Sequence, residues 1–438
     1  VAYWTLHVIS SLLPADTSSV LHFGLQGSAV VFTAVLSVGT GLLFGLFPAL
    51  HSTRPDLAST IRAGTGKHSG ARSAARFRTS LVTAQIALSM ALLISAGLFV
   101  KSLRNVSRVD LGIRIDSLVT FQIEPELNGY DHAHARQLFA RVHEQLAALP
   151  GVTDVTESLV PLLADENWGQ SVSVEGFKKG PDTDADSRYN EIGPGYFKAV
   201  GITLLSGREF TPSDEAGSPK VAIVNQAFAK KFGLGRDAVG KRMSDGGDTL
   251  NMEIVGLIRD AKYSDVKQDV PPVFFEPTLQ DTSVGSLFYY VRTARSPQQL
   301  VHEVPQVVKS LDPNLPVEQL KTMMQQVHEN VFLDRLISTL SAAFALLATL
   351  LAAVGLYGVL AYSVAQRTRE IGVRMALGAD GGRVQRMVLR QVAVMTVVGG
   401  VIGIGAAIAL GKVAESLLFE LKGHDPAVMA LSAAVLTA

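Results

Sequence analysis

The sequence contains no cysteine, which excludes disulfides, thiolate nucleophiles and thiolate metal sites. It is poor in charge, at 18% Asp, Glu, Lys and Arg, and poor in aromatics, at 7%. Four long runs hold no formal charge at all: 23–50, 79–100, 336–365 and 391–411. Ionisable residues inside such runs would mark ion or substrate pathways, so their absence argues against a proton- or ion-coupled carrier. A phosphate-binding loop is missing as well. Gly64-Thr65-Gly66-Lys67 ends like one, but position 61 is Ile and position 68 is His, so the spacing fails. No Ser/His/Asp or paired-carboxylate pattern is identifiable, and the chain reads as non-catalytic. His132 and His134 flank a helix start and lack further ligands, so Asp131 is expected there as a cap. Asp182, Asp184 and Asp186 lack the glycine and distal glutamate of a calcium loop and read as a solvated segment.

What the sequence does have is membrane-length apolar runs and segregated charge. About 20 apolar residues cross a bilayer core. Residues 101–335 carry a net charge of −7 and the remainder +7. Two loops are expected at 51–79 and 366–390; each holds six Lys/Arg beside the apolar runs, which marks both as cytoplasmic. Two crossings separate them, so 101–335 must be extracytoplasmic. The expected organisation is a helix tail, outer loop and transmembrane helix at 1–50, with a span near 28–47 ended by Pro48. A basic linker follows at 51–79, whose Gly/Ser/Ala-rich centre reads as flexible, then a transmembrane helix at 80–100. The lobe at 101–335 comes next, then a second membrane region at 336–438 with spans at about 337–365, 391–411 and 427–438. Val1 is not an initiator methionine and the last run stops at Ala438 in mid-span, so the chain reads as a fragment. Gly41/Gly45 and Gly399/Gly403 have the small-xxx-small spacing that permits close helix approach.

Within the lobe, strand and helix patterns alternate. Strands are expected at 117–123, 151–160, 170–174, 220–224, 252–258, 286–292 and 317–320. Helices are expected at 133–149, at 225–232 capped by Asn225, at 297–311, and from about 321 onward without interruption into the membrane. The fold class is a polytopic α-helical membrane protein with a large extracytoplasmic α+β domain.

Arg367, Arg369, Glu370, Ile371, Gly372, Arg374, Ala376, Leu377, Gly378 and Ala379 follow an apolar run of thirty residues. This stretch resembles the signature after the first transmembrane helix of MacB/FtsX-like ABC permeases. Tyr196-Phe197, Gly201-Ile202, Gly207-Arg208-Glu209-Phe210 and Val224-Asn225 resemble the MacB-type periplasmic core domain. The likeness covers nearly the whole chain and is to the duplicated type with no fused ATPase. A weak internal echo, Ser11-Leu12-Leu13 against Ser416-Leu417-Leu418, fits that duplication.

The resemblance implies a permease subunit in the bacterial inner membrane that works with a separate cytoplasmic ABC ATPase. ATP hydrolysis there would move the extracytoplasmic domain, for efflux of an amphiphile or peptide or for mechanotransmission. The alternative is a membrane-anchored regulator or scaffold of an envelope protein, with no cargo. By resemblance, Arg367, Arg369, Glu370, Ile371, Gly372, Arg374, Gly378 and Ala379 would contact the ATPase. Other expected partners are membrane lipid and a periplasmic or outer-membrane protein. No cofactor, metal or nucleic acid is expected.

Overall fold

The structure is a computed structural model and describes residues 27–52, 69–178, 180, 182–247, 249–377 and 381–437. Residues 11–13 and 64–67, invoked above, lie outside the described residues. Contacts divide the chain into two compact units, Arg104–Arg335 and the segments flanking it.

The lobe unit opens with β1 (Leu118–Ile123), α3 (His132–Ala147) and β2 (Val152–Ser158), and closes with β10 (Leu287–Thr293), α6 (Pro297–Leu311) and β11 (Glu318–Thr322). These four strands lie in the order β11-β1-β10-β2, each antiparallel to its neighbour. That is the split βαβ arrangement called ferredoxin-like, with everything between β2 and β10 inserted into it. Its core lies where the apolar stripes of α3 (Leu138, Phe139, Val142, Leu146) and α6 (Leu300, Val304, Val308) meet the sheet. Phe121 stacks on its register partner Tyr289, ring centroids 5.2 Å apart.

The insert holds β3 (Trp168–Val174), β4 (Asp186–Ile192), α4 (Tyr196–Val200), β5 (Leu204–Gly207), β6 (Val221–Asn225), α5 (Gln226–Lys231), β7 (Arg242–Asp245), β8 (Met252–Ile258) and β9 (Val273–Pro277). Pairings run β4-β3-β7-β8-β6-β9, and β9 returns to pair with β4 in parallel. The six strands therefore close on themselves around Val224, Phe228, Ile254 and Phe274, which removes their open edges.

Local signals explain many element boundaries. Asp131 accepts from the backbone of His134 at 2.8 Å and caps α3. Asn225 caps α5 by accepting from Phe228 N, accepts from Val273 N at 3.0 Å, and donates to the carbonyl of Pro271. One side chain thus ties β6, α5 and β9 together.

The flanking unit contains α1 (Gly27–Ser52), α2 (Ser69–Val106), α8 (Phe332–Ala376), α9 (Gly381–Val413) and α10 (Pro426–Thr437). Among the described residues three helices are long and apolar enough to cross a membrane, over Arg76–Val106, Phe332–Gln366 and Gln385–Val413.

Four expectations need correction. Residues 69–79, read as linker, form the first turns of α2. Of the basic segment 366–390, residues 366–376 end α8 and 381–390 begin α9. Charge marks where the apolar window stops. It does not stop a helix, since Arg and Ala are good helix formers. Pro48 does not end α1, which runs to Ser52; an interior proline loses one backbone bond and crowds the preceding turn, but its fixed φ is helical, so it can strain a helix without ending it. Finally, the helix expected from 321 into the membrane is interrupted. Lys321 and Thr322 pair with β1, Thr322 opens α7 (Met323–Asn330) through a capping box, and α7 ends at Val331 with φ −99° and ψ 15° before α8 begins.

Candidate functional site

Arg367, Arg369, Glu370, Ile371, Gly372 and Arg374 occupy the last three turns of α8. Positions 367, 370, 371 and 374 follow the i, i+3, i+4, i+7 spacing and share one helix face, while 369 and 372 lie on another. Gly378 and Ala379 lie outside the described residues. On the first turns of α9, Arg383, Arg386 and Arg390 share a face by the same spacing, with Arg386 and Arg390 exposed. Cations at a helix C-terminus are favoured by the dipole, by about 0.3–1 kcal/mol, and those at an N-terminus are not. Arg383 in the first turn of α9 therefore gains nothing from the helix dipole.

These basic ends are held by close packing of α2, α8 and α9. A Cβ at Gly399 would lie 2.8 Å from the carbonyl oxygen of Thr83, and one at Gly403 would lie 2.5 Å from that of Ala87. The Gly399/Gly403 spacing thus lets α9 seat directly on the backbone of α2. At Gly41 on α1 the same addition would meet open space. Ser89 Oγ donates to the carbonyl of Ala348 at 2.8 Å and links α2 to α8. Near the charged end, Ser363 on α8 bonds Gln391 on α9 at 3.3 Å, and the Arg78 guanidinium sits 4.2 Å from the Tyr362 ring centre. At the far end Lys101 pairs with Asp425 at 2.6 Å. That bond, with the backbone N–H of Val428, holds the Asp425 carboxyl below the usual carboxylate range.

In the lobe, the residues that carried the family resemblance prove to be architectural. Tyr196 and Phe197 are buried and pack edge-on against each other, with Tyr196 on Tyr290 and Phe197 on Phe275. Gly207 has φ +80°, and any Cβ there would collide with the carbonyl of Val255. Arg208 grips Asp214 through two bonds of 2.7 and 2.8 Å.

His134 bonds the Asp131 carboxylate at 2.8 Å, and Asp184 pairs with Lys231 at 2.8 Å. Among the described residues no group of three His, Asp or Glu could hold a metal. Sequence reasoning missed two buried carboxylates. Glu191 on β4 stands opposite Glu276 on β9, and each has an oxygen with no hydrogen-bond partner. Burial pushes Glu191 up to about 7 and Glu276 up to about 8. Tyr189 Oη donates to Glu191. Only the β4–β9 pairing reveals this juxtaposition, since the two residues are far apart in sequence.

Residues 79–325 match the MacB-like periplasmic core domain, and residues 342–437 match the FtsX-like permease C-terminal. The chain belongs to the MacB/FtsX-like permease family. It is a membrane protein with a large extracytoplasmic α+β domain. It is similar to an ABC transporter permease, YknZ, of Bacillus subtilis (strain 168), with 24% identity over 51% of this chain and 57% of that one. It is also similar to the macrolide export ATP-binding/permease protein MacB of Vibrio parahaemolyticus, with 24% identity over 78% of this chain and 51% of that one. The chain thus spans about half the length of these relatives. The periplasmic region of MacB from Actinobacillus actinomycetemcomitans aligns in structure with 52% of this chain and 98% of that one, at 16% identity and a TM-score of 0.34.

Proposed function

We propose that the chain is the permease component of an ABC-type transport or mechanotransmission system. The observation that carries this reading is the pairing of two family matches in one chain, a MacB-like core domain followed by an FtsX-like permease region. Their order matches the alternation of candidate spans with one large α+β unit. The Lys/Arg bias puts 51–79 and 366–390 in the cytoplasm and the lobe outside the bacterial inner membrane, with several crossings. A separate ATPase would supply the energy, and its docking would use the end of α8 at Arg367, Arg369, Glu370, Ile371, Gly372 and Arg374, with Gly378 and Ala379 beyond it. Movement would pass along α8, which is helical for 45 residues. Because α7 ends at Val331, the lever begins at Phe332. Export is the direction named for the Vibrio relative, and efflux is the transport reading adopted for this chain.

Two experiments test this. The chain has no cysteine, so single cysteines can be labelled in intact cells without background. An impermeant reagent should reach the exposed Ala216→Cys in the lobe and miss Ser69→Cys and Gly381→Cys. The reverse pattern would sink the orientation. Purification of the full-length protein in mild detergent should bring down an ATPase carrying Walker motifs, and Glu370→Ala should weaken that recovery without changing membrane insertion. Recovery of an envelope enzyme with no ATPase would instead favour the membrane-anchored regulator.

A further inference from the structure

A cleft of about 700 Å³ opens among α2, α8 and α9 at their charged ends. Its mouth carries Arg76 and Arg78 on α2, Tyr362 and Gln366 on α8, and Gln391 on α9. Its inner wall is apolar and small, formed by Ala84 and Ala87 on α2, Val359 on α8 and Ile402 on α9. Among the described residues that line it, none is acidic. From Arg78 to Ala87 is nine residues, about 13 Å along a helix. Arg76, Gln366 and Gln385 begin or end the three membrane-length windows, so the mouth lies at headgroup level and the inner wall at acyl-chain level.

The chemistry is graded in one direction. Two guanidinium groups and two amides face the interface, and hydroxyls and methyl groups lie below them. Arg78 is already steered by its seat over the Tyr362 ring, and Gln366 is fixed by a 2.7 Å bond to the Tyr362 hydroxyl. A soluble anion would use only the mouth. A ligand that fills the whole cleft must have an anionic head and an apolar tail. Basic pockets between transmembrane helices on the cytoplasmic side are the usual seats of anionic phospholipid headgroups.

We infer that this cleft binds an anionic phospholipid of the cytoplasmic leaflet, with its phosphate between Arg76 and Arg78 and an acyl chain against Ala84, Ala87 and Val359. The lipid would wedge among α2, α8 and α9, on the membrane side of the α8 end proposed above for docking. The choice of leaflet rests on the orientation proposed above, which the cysteine labelling tests separately; the lipid site itself needs only membrane insertion and no ATPase partner.

The test is native mass spectrometry of the full-length protein titrated with phosphatidylglycerol, phosphatidylcholine and glycerol 3-phosphate. Phosphatidylglycerol should bind in preference to phosphatidylcholine. Arg76→Gln with Arg78→Gln should lower its affinity about thirtyfold, from the attraction expected of two interfacial arginines. Ala84→Trp, which keeps both charges and fills the apolar wall, should lower it about tenfold by displacing one acyl chain's contact. Arg386→Gln, an exposed arginine outside the cleft, should change it less than about twofold. Equal binding of the two lipids would overturn the inference. So would an Arg386→Gln effect as large as the double variant's, which would mean diffuse charge attraction. Full binding by Ala84→Trp would place the lipid elsewhere, and displacement by glycerol 3-phosphate at the lipid's own concentration would make the ligand a soluble phosphate.

Discussion

The lobe fills its interior with aromatic rings, whereas the membrane unit buries aliphatic side chains and brings helix backbones together at small residues. In the lobe, Tyr196, Tyr289, Phe121, Phe228 and Phe274 are fully buried. On α8 of the membrane unit many large apolar residues point outward, and Leu346, Leu350, Leu351, Val354 and Tyr357 are all more than half exposed. Between the helices Ile86, Met90 and Ile94 of α2 are buried, and small residues at Gly399, Gly403, Ala87 and Ser89 make the close approaches. In water, burying an aromatic is itself the driving force. In lipid, apolar surface gains nothing by association, so helices associate through close backbone approach and hydrogen bonds.

The sharpest way to break this comparison is to truncate one large side chain in each unit. Phe228→Ala should cost the lobe about 3–5 kcal/mol, because the cavity has no solvent access and the ring of strands around it cannot collapse. Leu350→Ala on the exposed face of α8 should leave detergent-solubilised stability nearly unchanged. Urea unfolding followed by Trp168 fluorescence reports the first, and thermal aggregation of the solubilised protein reports the second. A large loss from Leu350→Ala would show that this face is covered by protein.

A smaller effect concerns charge inside the lobe. The folded values of Glu191 and Glu276 lie above the ordinary carboxyl value near 4.5. Their favourable contribution is therefore complete below about pH 4.5 and is lost as pH rises through about 7 and 8. Glu276→Gln should match the parent at pH 4.5 and exceed its stability by about 2–4 kcal/mol at pH 9. That range takes about 1.4 kcal/mol per pKa unit, reduced for coupling to Glu191. A pH-independent difference would mean that the two carboxyls do not titrate as a buried pair.

The membrane unit has its own counterpart. Gly403→Ile should cost about 1–3 kcal/mol by forcing α9 off the backbone of α2, while Gly41→Ile, with open space around it, should be silent. Loss of a cysteine crosslink engineered between α2 and α9 would register the first. The smallest effect is expected from Lys101→Met. The Lys101–Asp425 pair is partly exposed, and such a pair is worth about 0–1 kcal/mol. A loss beyond that range would mean that the pair anchors the loop before α10.

How far the sequence reads differs between the units for the same physical reason. The caps at Asp131 and Asn225, strand β8 at Met252–Ile258 and helix α6 at Pro297–Leu311 are local events. Each is set by residues within a few positions, and each was legible. Strands β4, β7 and β9 were not, because β4 reads Asp-Ser-Arg-Tyr-Asn-Glu-Ile and becomes a strand only through partners about 15 to 85 residues away. The basic stretch around Arg367 to Arg374 is legible as charge and as family likeness, but its helical state is not, because a polar run suits an exposed helix end as well as a loop.

The amino-acid order by itself determined that the chain enters a membrane, which segments carry its positive charge, and that a separate α+β unit interrupts the apolar runs. These follow from additive properties of short windows, hydropathy and charge. Tertiary structure alone decided that six strands of the insert close on themselves, that Glu191 faces Glu276, that Gly399 and Gly403 meet the α2 backbone, and that three helix ends enclose a cleft lined by arginine at one end and methyl groups at the other. Each of those depends on contacts between distant segments, where no local window holds both partners.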